Sequence, residues 1–512
     1  MSPADFTFSW IPFFALLASL VAVPFIALSG SRPNLRESWT VLAAVVKFGL
    51  VVSLIPGALE GKTVGLTLFE LAPGLPFELE ADPFGVLFAL IASGLWIVTS
   101  FYSMGYMRGN KEKKQTRFFA SFALCLSSTI GVAFAGNLFT FIFFYEVLTL
   151  STYPLVVHKE TDAAIQASRK YLSYTLTAGL LLIAAAGIIY MHAGTLDFQA
   201  GGLKELRSMP EPLMLSVFLM MLAGVGVKAG IMPLHSWLPS AMAAPTPVSA
   251  LLHAVAVVKS GVFGVIRVTG FVIGFDLMKE MSYDTILMVL SGFTILVASL
   301  LAFKQDNLKR RLAYSTVGHL SYIVLGVAIM SPIGLTGSIL HIAAHATMKI
   351  TLFFVAGSVY VHLHKENISQ LDGIAREMPW TMGAFTIGAM GLAGMPPVNG
   401  FFSKWTLGLG SLEAGLWIPL AILVGSGLLN AGYFFPIVYR AYFKKPGVEL
   451  NGVGEASPWM TVPIVITASL SVLFGLYPDL FFGIFELAST VAIQLFASQD
   501  SLSFIHESVK IP

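Results

Sequence analysis

The chain has 512 residues, of which 56% are hydrophobic and 11% charged, and its net charge is +2. Soluble domains carry about 25% charged residues, so the composition excludes a soluble enzyme and predicts an all-α polytopic membrane protein. The single cysteine, Cys125, excludes an internal disulfide and an iron–sulfur cluster ligated by cysteines of this chain alone.

Apolar runs of about 20 residues, the length that crosses a bilayer as a helix, predict about fourteen spans. Their expected ranges are 6–29, 39–58, 83–107, 117–136, 138–157, 170–192, 212–231, 246–270, 285–303, 312–330, 333–361, 380–410, 415–439 and 458–477. We interpret the first run as a helix rather than a cleaved leader. A further run, 480–497, is interpreted as an interfacial tail helix. The alternative is a fifteenth span, which would move the C-terminus to the other side of the membrane.

Basic residues are distributed unevenly between the connections of these spans. The odd-numbered connections hold nineteen of the thirty lysines and arginines, whereas the even-numbered connections and the C-terminal tail hold five. Because cytoplasmic loops are enriched in Lys and Arg, we expect a multi-pass protein of the inner (plasma) membrane with both termini exterior or periplasmic. Arg267, near the end of span 8, is expected to snorkel to the interface. Lys47 lies in span 2 without a visible partner.

Two spans are interrupted by proline and glycine. Span 7 runs into KAGIMPLHSWLPSAMAAPTP, and span 12 runs through GLAGMPPVNGFFSKW. Open backbone at membrane depth is tolerated only where protein or a water-filled cavity surrounds it. The breaks are five spans apart, which predicts two inverted five-helix repeats, spans 4–8 and 9–13, around a transport site. The expected units are 1–116 (helices 1–3), 117–270 (first repeat), 271–442 (second repeat) and 443–512 (last span and tail). Prolines that merely kink the helices are the alternative.

Ionisable residues lie inside the predicted spans, where a charge costs roughly 2.5–3.5 kcal/mol at the helix centre. They are Glu146, Lys228, His253, Lys259, His319, His341, His345, Lys349 and Lys404. His341, His345 and Lys349 are spaced i, i+4, i+8 and so share one helix face. Buried lysines can exchange a proton at physiological pH, as histidine does. The set therefore predicts a proton relay across the midplane, with Glu146 and Lys228 as a switch pair. The alternative is a set of static interhelical contacts.

Motifs of soluble enzymes are not supported. GVGVKAG has no strand or βαβ unit around it, and its small residues favour close helix packing. His362 and His364 lack further metal ligands nearby. A redox enzyme in its own right would need cofactor ligands that are not visible, so we expect no cofactor and no metal.

Four segments resemble the proton-conducting, antiporter-like membrane subunits. They are KAGIMPLHSWLPSAMAAPTPVSALLHAVAVVKSGVF, FKQDNLKRRLAYSTVGHLSYI, HIAAHATMKITLFF and GMPPVNGFFSKW. That family includes subunits of respiratory complex I (NADH-quinone oxidoreductase), the A-type and D-type subunits of Mrp sodium/proton antiporters, and membrane subunits of energy-converting hydrogenases. The resemblance covers roughly residues 83–440. It implies that Glu146 and Lys228 form a functional pair, and that Lys259, His345, Lys349 and Lys404 fill the other charged positions of the relay.

The length and span number, without a long lateral helix, look most like the D-type subunit of Mrp antiporters. The resemblance thus implies an H+-translocating subunit of a multi-subunit antiporter, with Na+ as a candidate exchanged ion. It also implies other membrane subunits as partners, and nothing indicates a nucleic-acid partner. Lys404 fits several branches, whereas one complex I branch carries glutamate there. The alternatives are a proton-pumping subunit of an NADH-quinone oxidoreductase or hydrogenase, a bicarbonate-uptake relative, and a non-conducting membrane scaffold of a redox complex. The presence of Glu146 and Lys228 argues against the scaffold.

Overall fold

Four helices form the N-terminal part of the fold in the computed structural model, which describes residues 6–445, 452 and 454–497. They are α1 (Ile11–Leu28), α2 (Pro33–Val52), α3 (Ile55–Leu59) and α4 (Pro83–Gly109). Asp82 caps α4 by accepting a hydrogen bond from the Gly85 amide at 2.8 Å. Proline at the first turn of each of these helices removes a donor that would have no partner there.

A three-stranded sheet lies outside the spans. It consists of β1 (Phe6–Phe8), β2 (Thr63–Ala72) and β3 (Leu75–Ala81), with β1 parallel to β2 and β2 antiparallel to β3. The all-helical prediction missed this sheet, and the first span begins at Ile11 instead of residue 6. The signal was present, because Pro73 and Gly74 form a two-residue turn between two apolar stretches.

The next helices contain the first predicted repeat. They are α5 (Gln115–Ala133), α6 (Leu138–Val156), α7 (Asp162–Ala193), α8 (Glu211–Ala229), α9 (Trp237–Ser240), α10 (Thr246–Ala254), α11 (Val257–Ile266), a π-helical segment (Arg267–Ile273) and α12 (Phe275–Glu280).

The remaining helices contain the second predicted repeat and the C-terminal part. They are α13 (Tyr283–Phe303), α14 (Leu308–Ala328), α15 (Pro332–Leu363), α16 (Pro379–Ala393), α17 (Asn399–Glu413), α18 (Trp417–Phe443), α19 (Pro458–Leu476) and α20 (Ile484–Phe496).

Twelve helices of the described chain are long and apolar enough to cross a membrane. The two remaining predicted spans, 10 and 12, correspond to helices that are not among these twelve. Span 10 is α14, which has 21 residues and therefore a length of about 32 Å. Span 12 is divided into α16 and α17, with 15 residues each. The protein is therefore a multi-pass helical membrane protein, as predicted.

The apolar run at 480–497 forms the short helix α20. With 13 residues it is about 20 Å long, too short for a bilayer core of about 30 Å. One face of α20 packs against α15 and α4, and its side chains Leu487, Ala488 and Val491 are buried. This geometry excludes a fifteenth span within residues 484–496.

Helix α15 lies at the centre of the bundle. It contacts α4, α10, α14, α16, α17, α19 and α20, and its most apolar window is buried throughout. Three titratable predicted relay residues, His341, His345 and Lys349, lie on this helix without exposure to solvent or lipid. Polar groups on α15 must therefore find partners on its neighbours.

Both predicted interruptions are present. Helix α8 ends at Ala229 and α16 ends at Ala393, and each is followed by a glycine in the left-handed region. Gly230 has φ of 70° and Gly394 has φ of 87°, a conformation that a side chain strains. Residues 230–236 separate α8 from the short helix α9, and residues 394–398 separate α16 from α17.

Candidate functional site: a buried lysine and histidine relay

Glu146 lies near the middle of α6 and points toward α7. A Cβ added at Gly179 of α7 would lie 2.4 Å from Glu146 Oε1, so glycine leaves the room that the carboxylate occupies. Glu146 is half-buried, and its Oε1 is enclosed without a hydrogen-bond partner. An enclosed carboxylate oxygen without a partner is costly, so this group is well suited to bind a proton or a cation.

Lys228 is fully buried in the last turn of α8. Its Nζ donates to the carbonyl oxygen of Tyr145 at 2.5 Å and lies 3.3 Å from the centroid of the Tyr145 ring. The charges of Lys228 and Glu146 are close enough to interact. Between these two described residues, however, there is no ion-pair contact of 4.0 Å or less. Tyr145 therefore holds the ammonium group, and the predicted switch pair is separated in this structure.

Gly261 brings the helix of Lys259 against the end of α8. A Cβ added at Gly261 would lie 2.2 Å from the Ala229 nitrogen and 2.4 Å from the Lys228 carbonyl carbon. The backbones of α11 and α8 therefore touch directly, which only glycine permits. This contact joins the segment that carries Lys228 to the segment that carries Lys259.

Span 8 is itself interrupted, which the sequence did not indicate. Helix α10 ends at Ala254, and α11 begins at Val257. The amides of Val255 and Ala256 both donate to the Leu251 carbonyl oxygen, so the regular hydrogen-bond ladder stops between His253 and Lys259. No proline or glycine occurs at this point, and the composition of LLHAVAVVK is that of an ordinary apolar helix.

Lys259 of α11 contacts His345 of α15 at the centre of the bundle. Lys259 Nζ lies 2.8 Å from His345 Nδ1, and both side chains are fully buried. The other ring nitrogen of His345, Nε2, is enclosed without a hydrogen-bond partner. This contact joins the two predicted repeats through two titratable side chains.

Two more histidines continue the cluster. His319 Nδ1 of α14 lies 3.1 Å from His341 Nε2, and His341 Nδ1 lies 2.8 Å from the Ser403 hydroxyl of α17. The ring of His319 is also 5.4 Å from the ring of His345, measured between centroids. The three imidazoles therefore form one buried group, and the predicted common face of His341 and His345 is confirmed by their geometry.

Uncharged polar side chains of α14 and α18 complete the cluster. The Asn430 amide donates to His319 Nε2 at 3.2 Å, to the Tyr322 hydroxyl at 3.2 Å and to the Leu392 carbonyl oxygen at 3.1 Å. The Tyr433 hydroxyl donates to Asn430 Oδ1. Sequence reasoning missed Asn430, Tyr322, Tyr433 and Ser403, because single uncharged polar residues in apolar helices are too common to point to a site.

Lys349 and Lys404 flank the histidine cluster without contacting it by hydrogen bonds. Lys349 Nζ donates to the Leu312 carbonyl oxygen at 3.1 Å, and Lys404 Nζ donates to the Leu392 carbonyl oxygen at 2.6 Å. Lys404 lies 4.9 Å from the Tyr322 ring centroid. Because Leu392 O also accepts from Asn430, one carbonyl group of the α16 end connects Lys404 to the partner of His319.

His253 stands apart from the hydrogen-bonded cluster. Both of its ring nitrogens are enclosed without a partner, and its ring packs 4.8 Å from that of Phe353. The structure thus brings Lys259, His345, His319 and His341 together, holds Lys349 and Lys404 beside them, and leaves Glu146, Lys228 and His253 without direct contact to this cluster.

Two further basic residues differ from expectation. Arg267 does not snorkel: it is 2% exposed and forms an ion pair with Asp82, with N–O distances of 2.6 and 2.7 Å. The carboxylate neutralises the guanidinium, so the side chain can stay inside the fold. Lys47 does have a partner, because its Nζ donates to the Ser19 hydroxyl at 2.5 Å.

Comparison with known proteins identifies the family. A family model described as "NADH:quinone oxidoreductase/Mrp antiporter, TM" matches residues 135–429, more than half of the chain. This chain belongs to that family. The matched range includes Glu146, Lys228, Lys259, the histidine cluster and both interrupted segments, and the resemblance inferred from the motifs is confirmed.

Relatives from two branches of the family align over most of the chain. NADH-quinone oxidoreductase subunit N of Desulforudis audaxviator is 32% identical over 490 residues, which are 92% of this chain and 95% of that protein. Na(+)/H(+) antiporter subunit A1 of Staphylococcus haemolyticus is 31% identical over 476 residues, but this chain spans only 58% of its length. A solved structure titled "Structure of Mrp complex from Dietzia sp. DQ12-45-1b" contains a similar chain, with a TM-score of 0.85, 23% identity, and coverage of 98% and 99%. This last likeness shows the common fold.

Proposed function

We propose that this protein translocates protons as one subunit of a multi-subunit membrane complex. The observation that carries the proposal is the 2.8 Å contact between Lys259 and His345 on two fully buried helices. Burying titratable groups in a bilayer is expensive, and such groups usually mark ion pathways. By name, the relatives above are a subunit of an NADH-quinone oxidoreductase and a subunit of an Na(+)/H(+) antiporter, and the second name agrees with proton movement.

The relay is proposed to switch at Glu146 and Lys228. When the carboxylate approaches the ammonium, the charged form of Lys228 is favoured; when it moves away, Tyr145 alone contacts the ammonium, and the proton can leave toward Lys259. The separated arrangement of the two side chains supports the second state. From Lys259, His345 and the neighbouring imidazoles of His319 and His341 carry the proton toward Lys404.

The two predicted inverted repeats, within units 1–116, 117–270, 271–442 and 443–512, are also part of the proposal. Matched local features support them. Asn137 caps α6 and Asn307 caps α14, and each asparagine forms a β-bridge with the segment after the following 32-residue helix, at Asp197 and Asn367 respectively. Equivalent helices five spans apart run in opposite directions, as inverted repeats require.

More finely, we propose that this protein is an antiporter subunit like the D-type subunit of Mrp complexes. In this proposal it lies in the plasma membrane with both termini exterior and exchanges H+ for Na+. A second candidate, a proton-pumping subunit of an NADH-quinone oxidoreductase, is favoured by the alignment to the Desulforudis audaxviator protein over 95% of its length. The two differ in their driving force. Sodium-driven pH change in membranes without respiratory substrate supports the antiporter; proton release that requires quinone reduction supports the second candidate.

The decisive experiment replaces the switch pair. Glu146→Ala and Lys228→Ala should each reduce cation-driven pH change in everted vesicles to background, because each strands the other group. Glu146→Asp should retain part of the activity, since a carboxylate remains. Lys228→Arg should lower the rate by about tenfold or more, because guanidinium holds the charge but cannot release a proton.

The matched control is Lys47→Met. Lys47 is as deeply buried as Lys228, but it pairs with Ser19 outside the relay, so transport should be preserved. Blotting of the vesicles must show equal amounts of each variant. Parental activity in both alanine variants would exclude the relay. Other subunits would then conduct the protons, and this chain would be a non-conducting scaffold.

A further inference from the structure

A cavity of about 250 Å³, with polar and apolar walls, lies at the end of the bundle that carries the β2–β3 hairpin. Its walls come from β2, β3, the start of α4, the segment before α6 and the π-helical segment. They include Thr63, Glu80, Asp82, Gly136 and Arg267. At roughly 30 Å³ for each molecule, the cavity has room for about eight waters. None of these residues takes part in the Lys/His cluster described above.

Two glutamates lie side by side next to Gly136, and one of them, Glu80, lines the cavity. Glu78 and Glu80 alternate on β3 and therefore face the same side of the strand. A Cβ added at Gly136 would lie 2.7 Å from the Cγ atoms of both glutamates, so the glycine provides the space that they share. Asn137 donates to Glu78 Oε1 at 3.0 Å.

Burial and neighbouring carboxylates favour the protonated form of both glutamates. The pKa of Glu80 is raised to about 8, first by burial and then by the carboxylates of Glu78 and Asp82, with a smaller contribution from Asp197. The charge of Arg267 opposes this shift. Burial and Asp197 raise the pKa of Glu78 to about 7, although Asn137 lowers it. In the described structure, α20 contributes no charged side chain to the cavity. Gln494 of this helix and Ala497 just after its end line the wall, and both are uncharged.

Thr63 indicates independently that the cavity receives a polar ligand. The side chain is 1% exposed, and its Oγ1 has no hydrogen-bond partner although it lines the cavity. Enclosed hydroxyl oxygens rarely lack partners in folded proteins, and water, hydronium or a small cation in the cavity would satisfy Thr63 Oγ1. Outside the cavity wall, Asp197, whose charge acts on both glutamates, also has an enclosed Oδ1 without a partner.

One helix face connects the cavity to the relay. Lys259, Phe263 and Arg267 are spaced i, i+4, i+8, so Arg267 in the cavity wall lies about 12 Å along the axis from Lys259. Phe263, between them, stacks on Phe84 at 4.4 Å and on Phe88 at 4.8 Å between ring centroids. An apolar aromatic layer thus separates the buried lysine from the polar cavity.

We propose that this cavity is the proton gateway between the buried relay and the hairpin side of the membrane, with Glu80 as the receiving group and Phe263 as the barrier. The inference rests on the proposed proton translocation. The gateway is a branch of the relay at Lys259: in the outward step, a proton that reaches Lys259 leaves toward the hairpin side instead of continuing to His345. The Lys259 ammonium loses this proton to a water chain that passes Phe263, and the Glu80 carboxylate gains one. Lys259 becomes a neutral amine and Glu80 a neutral acid, which then releases its proton to external water.

The first test measures access to the cavity and does not depend on transport. Thr63→Cys, made in a Cys125→Ser background, is treated with membrane-impermeant methanethiosulfonates in intact cells and in inverted vesicles. We expect labelling from one side only, with a preference for the cationic reagent that grows as the pH rises through about 8, because Glu80 then carries the unbalanced charge of the cavity while Asp82 and Arg267 neutralise each other. Leu71→Cys is the control: it lies on the same strand, is 60% exposed and is outside the cavity wall, so it should react from the same side without the pH-dependent charge preference. Protection of Thr63→Cys from both reagents, with Leu71→Cys labelled, would overturn the proposal.

The second test measures transport against the pH on the hairpin side. Glu80→Gln should lower the rate about tenfold and remove its titration near pH 8, whereas Glu80→Asp should restore part of both. Glu70→Gln, an exposed acid on β2, is the control and should leave the profile unchanged. An unaltered profile in Glu80→Gln, with Lys228→Ala inactive, would overturn the gateway while the proposed function stands. Full activity in Lys228→Ala would overturn the relay and the gateway with it.

Discussion

Lys259 and His345 share one hydrogen bond whose proton has two possible positions. Either the ammonium donates to Nδ1, or the protonated ring nitrogen donates to a neutral amine. Lys259→Arg would fix the first state, because guanidinium stays protonated, and His345→Gln would remove the titratable ring. We expect each change to lower proton transport by about tenfold or more in everted vesicles.

His192→Gln serves as the control for this prediction, because His192 is exposed at the end of α7, where its Nε2 forms a hydrogen bond with the Ser208 hydroxyl. It should transport like the parent protein. Unchanged transport in Lys259→Arg would mean that Lys259 is a fixed charge, and the proton path would then have to bypass it.

Glu80 also predicts a pH dependence of stability. Its pKa is raised from 4.5 to about 8 in the folded protein, so the folded state binds the proton more tightly than the unfolded chain. The resulting stabilisation is complete below pH 4.5 and is lost as the pH rises through about 8. Thermal unfolding in detergent should therefore shift to lower temperature between about pH 5 and pH 8, and Glu80→Gln should flatten this slope. Equal slopes in the parent and in Glu80→Gln would contradict the raised pKa.

At the residue scale, the sequence predicted the charged members of the site and missed the uncharged ones. A lysine in an apolar helix is informative because its burial is expensive. An asparagine such as Asn430 costs far less and therefore gives no signal. The prediction that Arg267 snorkels to the interface was wrong because its partner, Asp82, lies 185 residues away in the chain, and the local sequence does not show that pairing.

At the scale of elements, the contact of α11 with α8 depends on Gly261. A Cβ there would lie 2.2 Å from a backbone nitrogen that cannot move away independently. Gly261→Ala should therefore separate the two helices, with a cost of about 1–3 kcal/mol typical of overpacking, and should impair transport. Unfolding in detergent and vesicle transport measure the two effects.

Gly187→Ala is the matched variant for this comparison. Gly187 is also within a helix, α7, but a Cβ added there meets no atom within 4 Å. Its stability should stay the same or rise slightly, because alanine favours the helix. A Gly261→Ala protein as stable and active as Gly187→Ala would show that the α8–α11 contact is loose.

The interruptions of the helices were predictable only in part. Proline and glycine marked the breaks after α8 and α16, since these residues cannot continue a helix without strain or lost hydrogen bonds. The break between α10 and α11 has no such marker. Tertiary packing around His253 and Lys259 forms it, and packing between distant helices is not encoded in a local window. The β2–β3 hairpin was missed for a different reason. In a strongly apolar chain, two short apolar strands do not stand out from the predicted membrane spans.

At the scale of the whole molecule, the orientation in the membrane is a prediction. Helix α4 has 27 residues and so separates its ends by about 40 Å, with Asp82 and the hairpin at one end and the basic loop 108–117 at the other. Reporter fusions in that loop should be cytoplasmic, and fusions at Gly74 in the hairpin turn should be exterior. An exterior signal from the 108–117 loop would overturn the topology and would reverse the direction assigned to the gateway.

Assembly with other subunits is the last prediction, and it follows from the surroundings of Glu146. Phe143 and Leu150, one turn before and after it on α6, are 47% and 58% exposed. A half-buried carboxylate between them would border lipid in an isolated chain, which is unfavourable. A neighbouring membrane subunit that covers this face would enclose Glu146. We therefore expect the purified chain alone, in liposomes, to give no full sodium/proton exchange, whereas the complex purified from native membranes does. The same complex with Glu146→Ala, assayed alongside, gives the background ion leak of the liposomes. Full exchange by the isolated chain would contradict the need for partners, because Glu146 would then function while facing lipid.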